Sequence, residues 1–118
     1  MSYQFDHVAQ IVPDIAEAVK WYSQTLPGVQ ILYQDKSWAF LDACGVKLAF
    51  VLQGKHPDHL AFRVDSAELE RMAAERGKTI DTHRDKTRSF YLEAPGGKWI
   101  EIIGTEGSPY EKLYEGKG

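Results

Sequence analysis

The chain has 118 residues, of which 43% are hydrophobic and 12% aromatic, and this length and composition are typical of one globular domain with a buried core. The formal net charge of −3 argues against a nucleic-acid surface. The sequence shows no signal-peptide pattern, and its apolar runs are shorter than the roughly 20 residues of a membrane helix, so we expect no membrane association. The one cysteine, Cys44, excludes an intramolecular disulfide and a cluster of thiolate metal ligands, so we expect a reduced, cytoplasmic compartment.

The first half of the chain predicts one strand, one helix and three more strands. Residues 5–12 alternate along a strand, and Pro13-Asp14 begin a helix whose apolar residues recur at spacings of three and four. The next three runs are short and bounded by turn residues, which is typical of antiparallel strands. These runs are residues 29–34, 37–43 and 46–52.

The second half repeats this order. Residues 57–64 predict a strand, Asp65-Ser66 cap a helix, and Gly77 closes that helix. Three further strands are predicted at residues 78–84, 87–93 and 98–104. The same order of elements in both halves predicts an internal structural repeat.

The repeat predicts a single α+β domain over residues 1–104, built from two βαβββ modules at 4–53 and 57–104. We expect the modules to form a curved, largely antiparallel sheet of eight strands around a cavity, with the helices outside. Residues 105–118 form a polar tail, and we expect at least its last residues to be disordered because they carry no apolar stripe.

An Asp-His pair recurs in the two modules, at Asp6-His7 and at Asp58-His59. In each first strand the following helix must cover the apolar face, which turns the histidine to the opposite, inward face. The same alternation turns Glu101, in the last strand, to the inward face. Of the other histidines, His83 is the one candidate for a further inward imidazole, and its direction is not fixed by the pattern.

Two imidazoles and one carboxylate on the inward face predict a metal centre of His7, His59 and Glu101. Buried without partners, these groups would be unfavourable, and a divalent cation offsets that cost by accepting their lone pairs. The ligand set suits Fe2+, Mn2+, Ni2+, Co2+ or Zn2+ and leaves positions open for substrate. Alignment of Lys47 with Lys98 puts Phe50 opposite Glu101, which favours three protein ligands over four.

Further inward residues are candidates for catalysis and for binding substrate. Three residues are candidates for catalysis: Glu101, Tyr91 as a proton donor, and Arg63 as the partner of an anionic substrate group. A core aromatic with a satisfied hydroxyl and a surface strand arginine are the alternatives for Tyr91 and Arg63. Five residues are predicted to line the substrate cavity, with simple core packing as the alternative: Ala9, Trp38, Phe40, Phe50 and Trp99.

Four segments resemble motifs of the vicinal oxygen chelate superfamily, which includes glyoxalase I, extradiol dioxygenases, fosfomycin-resistance enzymes and bleomycin-binding proteins. The resemblance covers residues 4–104 and implies the fold predicted above. It maps His7, His59 and Glu101 onto metal ligands, and it implies a homodimer. The segments are residues 5–9, 18–22, 58–62 and 89–101.

The leading functional prediction is a small divalent-metal-dependent enzyme of the glyoxalase/dioxygenase type, whose small-molecule substrate binds the metal through oxygens. Dioxygenase, lyase or isomerase, and thiol-transferase chemistry all stay open. The alternative is a metal-free dimer that binds a drug or metabolite, as bleomycin-resistance proteins do. A third possibility is a regulatory subunit that keeps the fold without turnover.

Overall fold

The computed structural model describes residues 3–54, 57–83 and 85–108. Within them the chain forms eight strands and two helices in the order β-α-β-β-β, twice. Neither of these helices is long and apolar enough to cross a bilayer. The strands are β1 (Gln4–Ile11), β2 (Gln30–Gln34), β3 (Trp38–Ala43), β4 (Val46–Val51), β5 (His59–Arg63), β6 (Asp81–Thr82), β7 (Arg88–Ala94) and β8 (Lys98–Gly104); the helices are α1 (Ile15–Thr25) and α2 (Ser66–Arg76).

The strands form one mixed sheet in the order β2-β3-β4-β1-β5-β8-β7-β6. Strand β1 pairs with β4 in parallel, whereas β2–β3, β3–β4, β6–β7 and β7–β8 are antiparallel. The predicted α+β fold with an eight-stranded sheet is therefore confirmed.

Both helices begin, and α2 also ends, where the sequence places their caps. The Asp14 carboxylate accepts a hydrogen bond from the Glu17 amide at 2.8 Å, and Asp65 accepts one from the Glu68 amide at the same distance. These bonds satisfy amides that a helix leaves unpaired at its N-terminus. Gly77 ends α2 in the left-handed conformation, with φ of 66°, which glycine adopts without steric strain.

The predicted strand at residues 78–84 is much shorter in the structure, where β6 contains only Asp81 and Thr82. The start of that segment instead completes the helix end, since the Lys78 amide donates to the carbonyl of Ala73. At its other end the His83 amide donates to the carbonyl of Thr87, one step beyond the pairs Asp81–Ser89 and Thr82–Arg88, and the His83 carbonyl accepts from the Lys86 amide as the chain turns. The helix end and this tight turn therefore leave room for only a short strand between them.

The chain divides into two compact units, and residues 7–60 form one of them. Its core lies between α1 and one face of strands β3 and β4. Ile15 and Val19 of the helix pack there against Ala39, Leu41 and Phe50. Because side chains alternate along a strand, the residues between these core positions lie on the face away from α1.

The other unit contains the start of β1 and the chain from residue 61 onward. Its core joins Leu69 and Ala73 of α2 to Val64, Phe90 and Ile102. The intervening residues of β7 and β8 therefore lie on the face away from α2.

The predicted tail begins at Thr105, which is buried together with Ser108. The carboxylate of Glu106 accepts a hydrogen bond from the Ser66 amide at the start of α2. Residues 109–118, where the predicted disorder falls, lie outside the described residues.

A buried carboxylate anchors the first residues of this unit to α2. Arg71 donates to Glu68 from Nε at 2.8 Å and from Nη2 at 2.7 Å, and the Tyr3 hydroxyl donates to it at 2.6 Å. The bonds from Arg71, and next that from Tyr3, hold the pKa of Glu68 at about 2, below its ordinary value of 4.5. The folded state therefore favours the ionised carboxylate.

We expect this carboxylate to make the fold sensitive to acid. A depressed pKa contributes stability that is present above pH 4.5 and is lost as the pH falls towards 2. Denaturant unfolding followed by circular dichroism should show a shallower dependence on pH across this range for Glu68→Gln than for the native chain. Glu75→Gln, on the exposed side of the same helix, is the matched control. Equal slopes for Glu68→Gln and the native chain would contradict the assignment.

Candidate metal centre

The two histidines of the repeated Asp-His pair lie against each other. His7 is in the middle of β1 and His59 is the first residue of β5. Both side chains are buried, and their ring centroids are 5.6 Å apart with the planes inclined at 68°. Two buried imidazoles this close together place their ring nitrogens where one ion could bind both.

A backbone carbonyl fixes the tautomer of His59. Its Nδ1 lies 2.6 Å from the carbonyl oxygen of Pro57, and this oxygen can only accept a hydrogen bond. The proton is therefore assigned to Nδ1, and Nε2 carries the lone pair. Metal-binding histidines commonly donate their second ring N–H in this way, because the bond orients the ring and makes the ligand nitrogen more basic.

Glu101 is buried on β8, on the face away from α2. In the antiparallel pair with β7 it lies directly opposite Tyr91. The Tyr91 hydroxyl hydrogen-bonds to the Glu101 carboxylate, and burial, with the charge of Glu101 next, raises the pKa of Tyr91 above its ordinary value of 10. Tyr91 is accordingly a protonated donor at neutral pH.

His7, His59 and Glu101 together are the group of three candidate metal-ligating side chains found in the described part of the chain. One ligand atom of each lies within 4.8 Å of the others, and all three side chains are buried. The donor set is two imidazole nitrogens and one carboxylate oxygen, which fits a divalent first-row transition metal or zinc.

The prediction that Phe50 lies opposite Glu101 and lines the substrate cavity is wrong. Its ring packs 4.9 Å from that of Tyr22 of α1 and belongs to the helix-side core. Ala49 occupies the opposite face, because it pairs side by side with Ala9 of β1, two residues from His7. The residue equivalent to Glu101 in the first module is therefore Ala49, which offers no ligand atom.

Two of the aromatic residues predicted to line the substrate cavity lie next to His7, on the face of residues 7–60 that points away from α1. The Phe40 ring lies 5.8 Å from that of His7, and the Trp38 ring lies 5.9 Å from that of Phe40. Phe40 also pairs with Ala49 across β3 and β4. These side chains, with the buried Ala9, form an apolar surface next to the histidine.

Arg63 and Trp99 have different surroundings. The Arg63 guanidinium donates to the side chain of Gln4 and lies 4.0 Å from the carboxylate of Asp6, so its described contacts are with the start of β1. Trp99 is half-buried on β8, two residues before Glu101 and on the same face by alternation.

His83 lies close to Glu101. The sequence pattern left the direction of the His83 side chain open. Its Nε2 lies 3.8 Å from Oε2 of Glu101 and 2.7 Å from Oγ of Ser89. It follows β6 directly, where only two residues keep the strand alternation, so the pattern carries no information on the side chain's direction.

No family model and no curated protein matches the sequence. Solved structures do match. The chain superposes on a protein described as an NAD-dependent benzaldehyde dehydrogenase from Legionella pneumophila with a TM-score of 0.66 and 18% identity, over 87% of this chain and 98% of that one. A glyoxalase/bleomycin resistance protein/dioxygenase superfamily member from Vibrio splendidus gives 0.56 and 13%, over 87% and 98%.

A dioxygenase structure also matches. The 2,3-dioxygenase LapB from Pseudomonas sp. KL28 gives a TM-score of 0.59 and 23% identity over 91% of this chain and 44% of the dioxygenase. The chain has the vicinal oxygen chelate fold. It spans less than half the length of LapB. A vicinal oxygen chelate fold at these identities does not specify a reaction, so the chemistry must be argued from the side chains.

Proposed function

We propose that this chain is a small divalent-metal-dependent enzyme of the glyoxalase/dioxygenase type, with His7, His59 and Glu101 as the metal ligands. The observation that supports it is the approach of three buried ligand atoms to within 4.8 Å of one another. A bound cation would offset the cost of burying two imidazoles and a carboxylate so close together.

The proposed ligand set leaves room for a substrate. Ala49 contributes no donor atom at the position equivalent to Glu101, so three protein ligands are proposed. Centres with three protein ligands keep open positions for substrate or water, whereas closed structural sites use four. When bound, the cation would supply Lewis-acid activation of a substrate that binds it through oxygens.

The chain's own residues have separate tasks in this proposal. The carbonyl of Pro57 holds His59 with its Nε2 lone pair available for the metal. Tyr91 keeps its proton at neutral pH and can offer a hydrogen bond to a developing negative charge on a substrate oxygen. Phe40 and Trp38 provide an apolar surface that excludes water beside His7.

The proposed active form is a homodimer. Strand β2 is first in the strand order, and its residues Ile31 and Tyr33 are exposed. Edge strands with exposed apolar residues are commonly covered by a partner. Light scattering should give the molar mass of two chains, and the mass of one chain at micromolar concentration would contradict the dimer.

The proposed function is tested by the metal requirement of turnover. The metal-free chain would be screened against compounds with vicinal oxygens, such as catechols, α-hydroxycarbonyl compounds and 2-oxoaldehydes, with and without Fe2+, Mn2+, Ni2+, Co2+ or Zn2+. We expect conversion of at least one class, only with metal. Tight binding of a compound that needs no metal and is not converted would support the metal-free binding protein instead.

A further inference from the structure

The ring of His83 lies between a serine and the proposed ligand Glu101. Its Nε2 is 2.7 Å from Oγ of Ser89, a hydrogen-bond distance, and 3.8 Å from Oε2 of Glu101, a close contact that is longer than a hydrogen bond. The serine side chain is fully buried, whereas about a quarter of the His83 side chain is exposed. The buried hydroxyl therefore holds Nε2 of a ring that is only partly exposed.

Two hydrogen bonds also hold the backbone of His83. Its amide donates to the carbonyl of Thr87 at 2.8 Å, and its carbonyl accepts from the amide of Lys86 at 2.9 Å. Within the same turn, Oδ1 of Asp85 accepts from the Thr87 amide at 2.8 Å and from the Thr87 hydroxyl at 2.6 Å. These four bonds close the turn between β6 and β7. They therefore restrict the backbone position of His83, to which its imidazole is attached.

Strand β7 places both groups that act on Glu101 on one face. Ser89 and Tyr91 are two residues apart and therefore point the same way, and Tyr91 lies opposite Glu101 in the ladder. Tyr91 donates to the carboxylate directly, while Ser89 holds His83 close to it. A ring held at this position beside Oε2 leaves the carboxylate fewer orientations about its last bond.

We propose that His83, held by Ser89, is a positioning residue for Glu101: it orients the carboxylate for metal binding without ligating the metal itself. The inference rests on the proposed function, because it gives a role to a residue beside a proposed ligand. Outer partners of metal ligands matter because a ligand that is already oriented loses less freedom when the metal binds.

Cobalt binding tests the inference without requiring the substrate. Co2+ would be titrated into the metal-free native chain and three variants, with the visible absorption spectrum recorded: His83→Ala, His83→Gln and Thr82→Ala. We expect His83→Ala to bind Co2+ roughly 10- to 100-fold more weakly than the native chain, with an altered spectrum. Glutamine places an amide nitrogen near the Nε2 position, so His83→Gln should recover part of the affinity. Thr82→Ala, at an exposed neighbour, should match the native chain.

The outcomes separate this inference from the proposed function. If the native chain binds Co2+ and His83→Ala has the same affinity and spectrum, the positioning role is overturned and the metal centre stands. If the native chain binds no Co2+, the proposed function fails and the inference fails with it. If His83→Gln recovers nothing and both His83 variants unfold at a lower temperature in the metal-free form, His83 has a purely structural role, which also overturns the inference.

Discussion

Replacing His59 by alanine should abolish stoichiometric metal binding at micromolar concentrations. The substitution removes one of three proposed ligands, so the loss of affinity should exceed the roughly 10- to 100-fold effect of losing an outer partner. The Pro57 carbonyl would also lose the ring N–H that it accepts from. Isothermal titration with Zn2+ and Mn2+ measures the loss.

The adjacent residue provides the matched control for this experiment. Leu60 is 41% exposed and alternation places it on the other face of β5. Leu60→Ala should therefore bind metal as the native chain does. A His59→Ala variant that is folded by circular dichroism and binds metal with native affinity would remove His59 from the ligand set.

Replacing Phe50 by alanine should lower the free energy of unfolding by about 3–5 kcal/mol, the range typical of deleting a buried aromatic ring. Phe50 is completely buried and contacts the ring of Tyr22 in the core that includes Ile15 and Val19. The loss combines the transfer of the ring from water with the cavity that it leaves. Urea unfolding measures it.

Trp21→Ala is the control for a large aromatic residue in the same unit. Trp21 is 58% exposed, so its removal should change the free energy of unfolding by no more than about 0.5–1 kcal/mol. At temperatures where Phe50→Ala is folded, this variant should bind metal as the native chain does, because the ring of Phe50 lies on the α1 side of the sheet. A loss below about 1 kcal/mol for Phe50→Ala would contradict its place in the core.

The error over Phe50 has a simple physical origin. Matching Lys47 to Lys98 aligns the two modules with an offset of 51 residues. The repeated Asp-His pair aligns them with an offset of 52 residues. A shift of one residue moves every side chain of a strand to its opposite face. The offset of the Asp-His pair leads from Glu101 to Ala49, in agreement with the pairing of Ala9 and Ala49. The predicted lack of a fourth ligand follows from either alignment.

Local signals determined how much else could be predicted. The helices carry an apolar stripe together with Asp14, Asp65 and Gly77 at their ends, and these features depend on neighbouring residues alone. The short strand β6 could not be predicted in this way, because its length depends on which backbone groups the helix end and the following turn take. For the same reason the direction of His83, just beyond that strand, could be found only from the fold.

Arg63 shows a different limit of sequence reasoning. Its alternation along β5 is compatible with a role toward substrate, but its partners come from the start of β1, about 60 residues earlier in the chain. No pattern within β5 identifies Gln4 and Asp6 as those partners. The contacts of a long, charged side chain depend on tertiary neighbours, and the role of Arg63 toward an anionic substrate group stays a prediction.

The central claim, that three buried side chains bind one metal ion, is tested most directly by elemental analysis. The chain would be purified without a metal-affinity tag, exposed to Fe2+, Mn2+, Ni2+, Co2+ or Zn2+ in turn, freed of excess ion and analysed. The native chain and Glu93→Gln, at an exposed glutamate of β7, should each hold about one ion per chain with at least one of these metals, and Glu101→Gln should hold almost none. Less than about one-tenth of an ion per native chain with every metal would contradict the account.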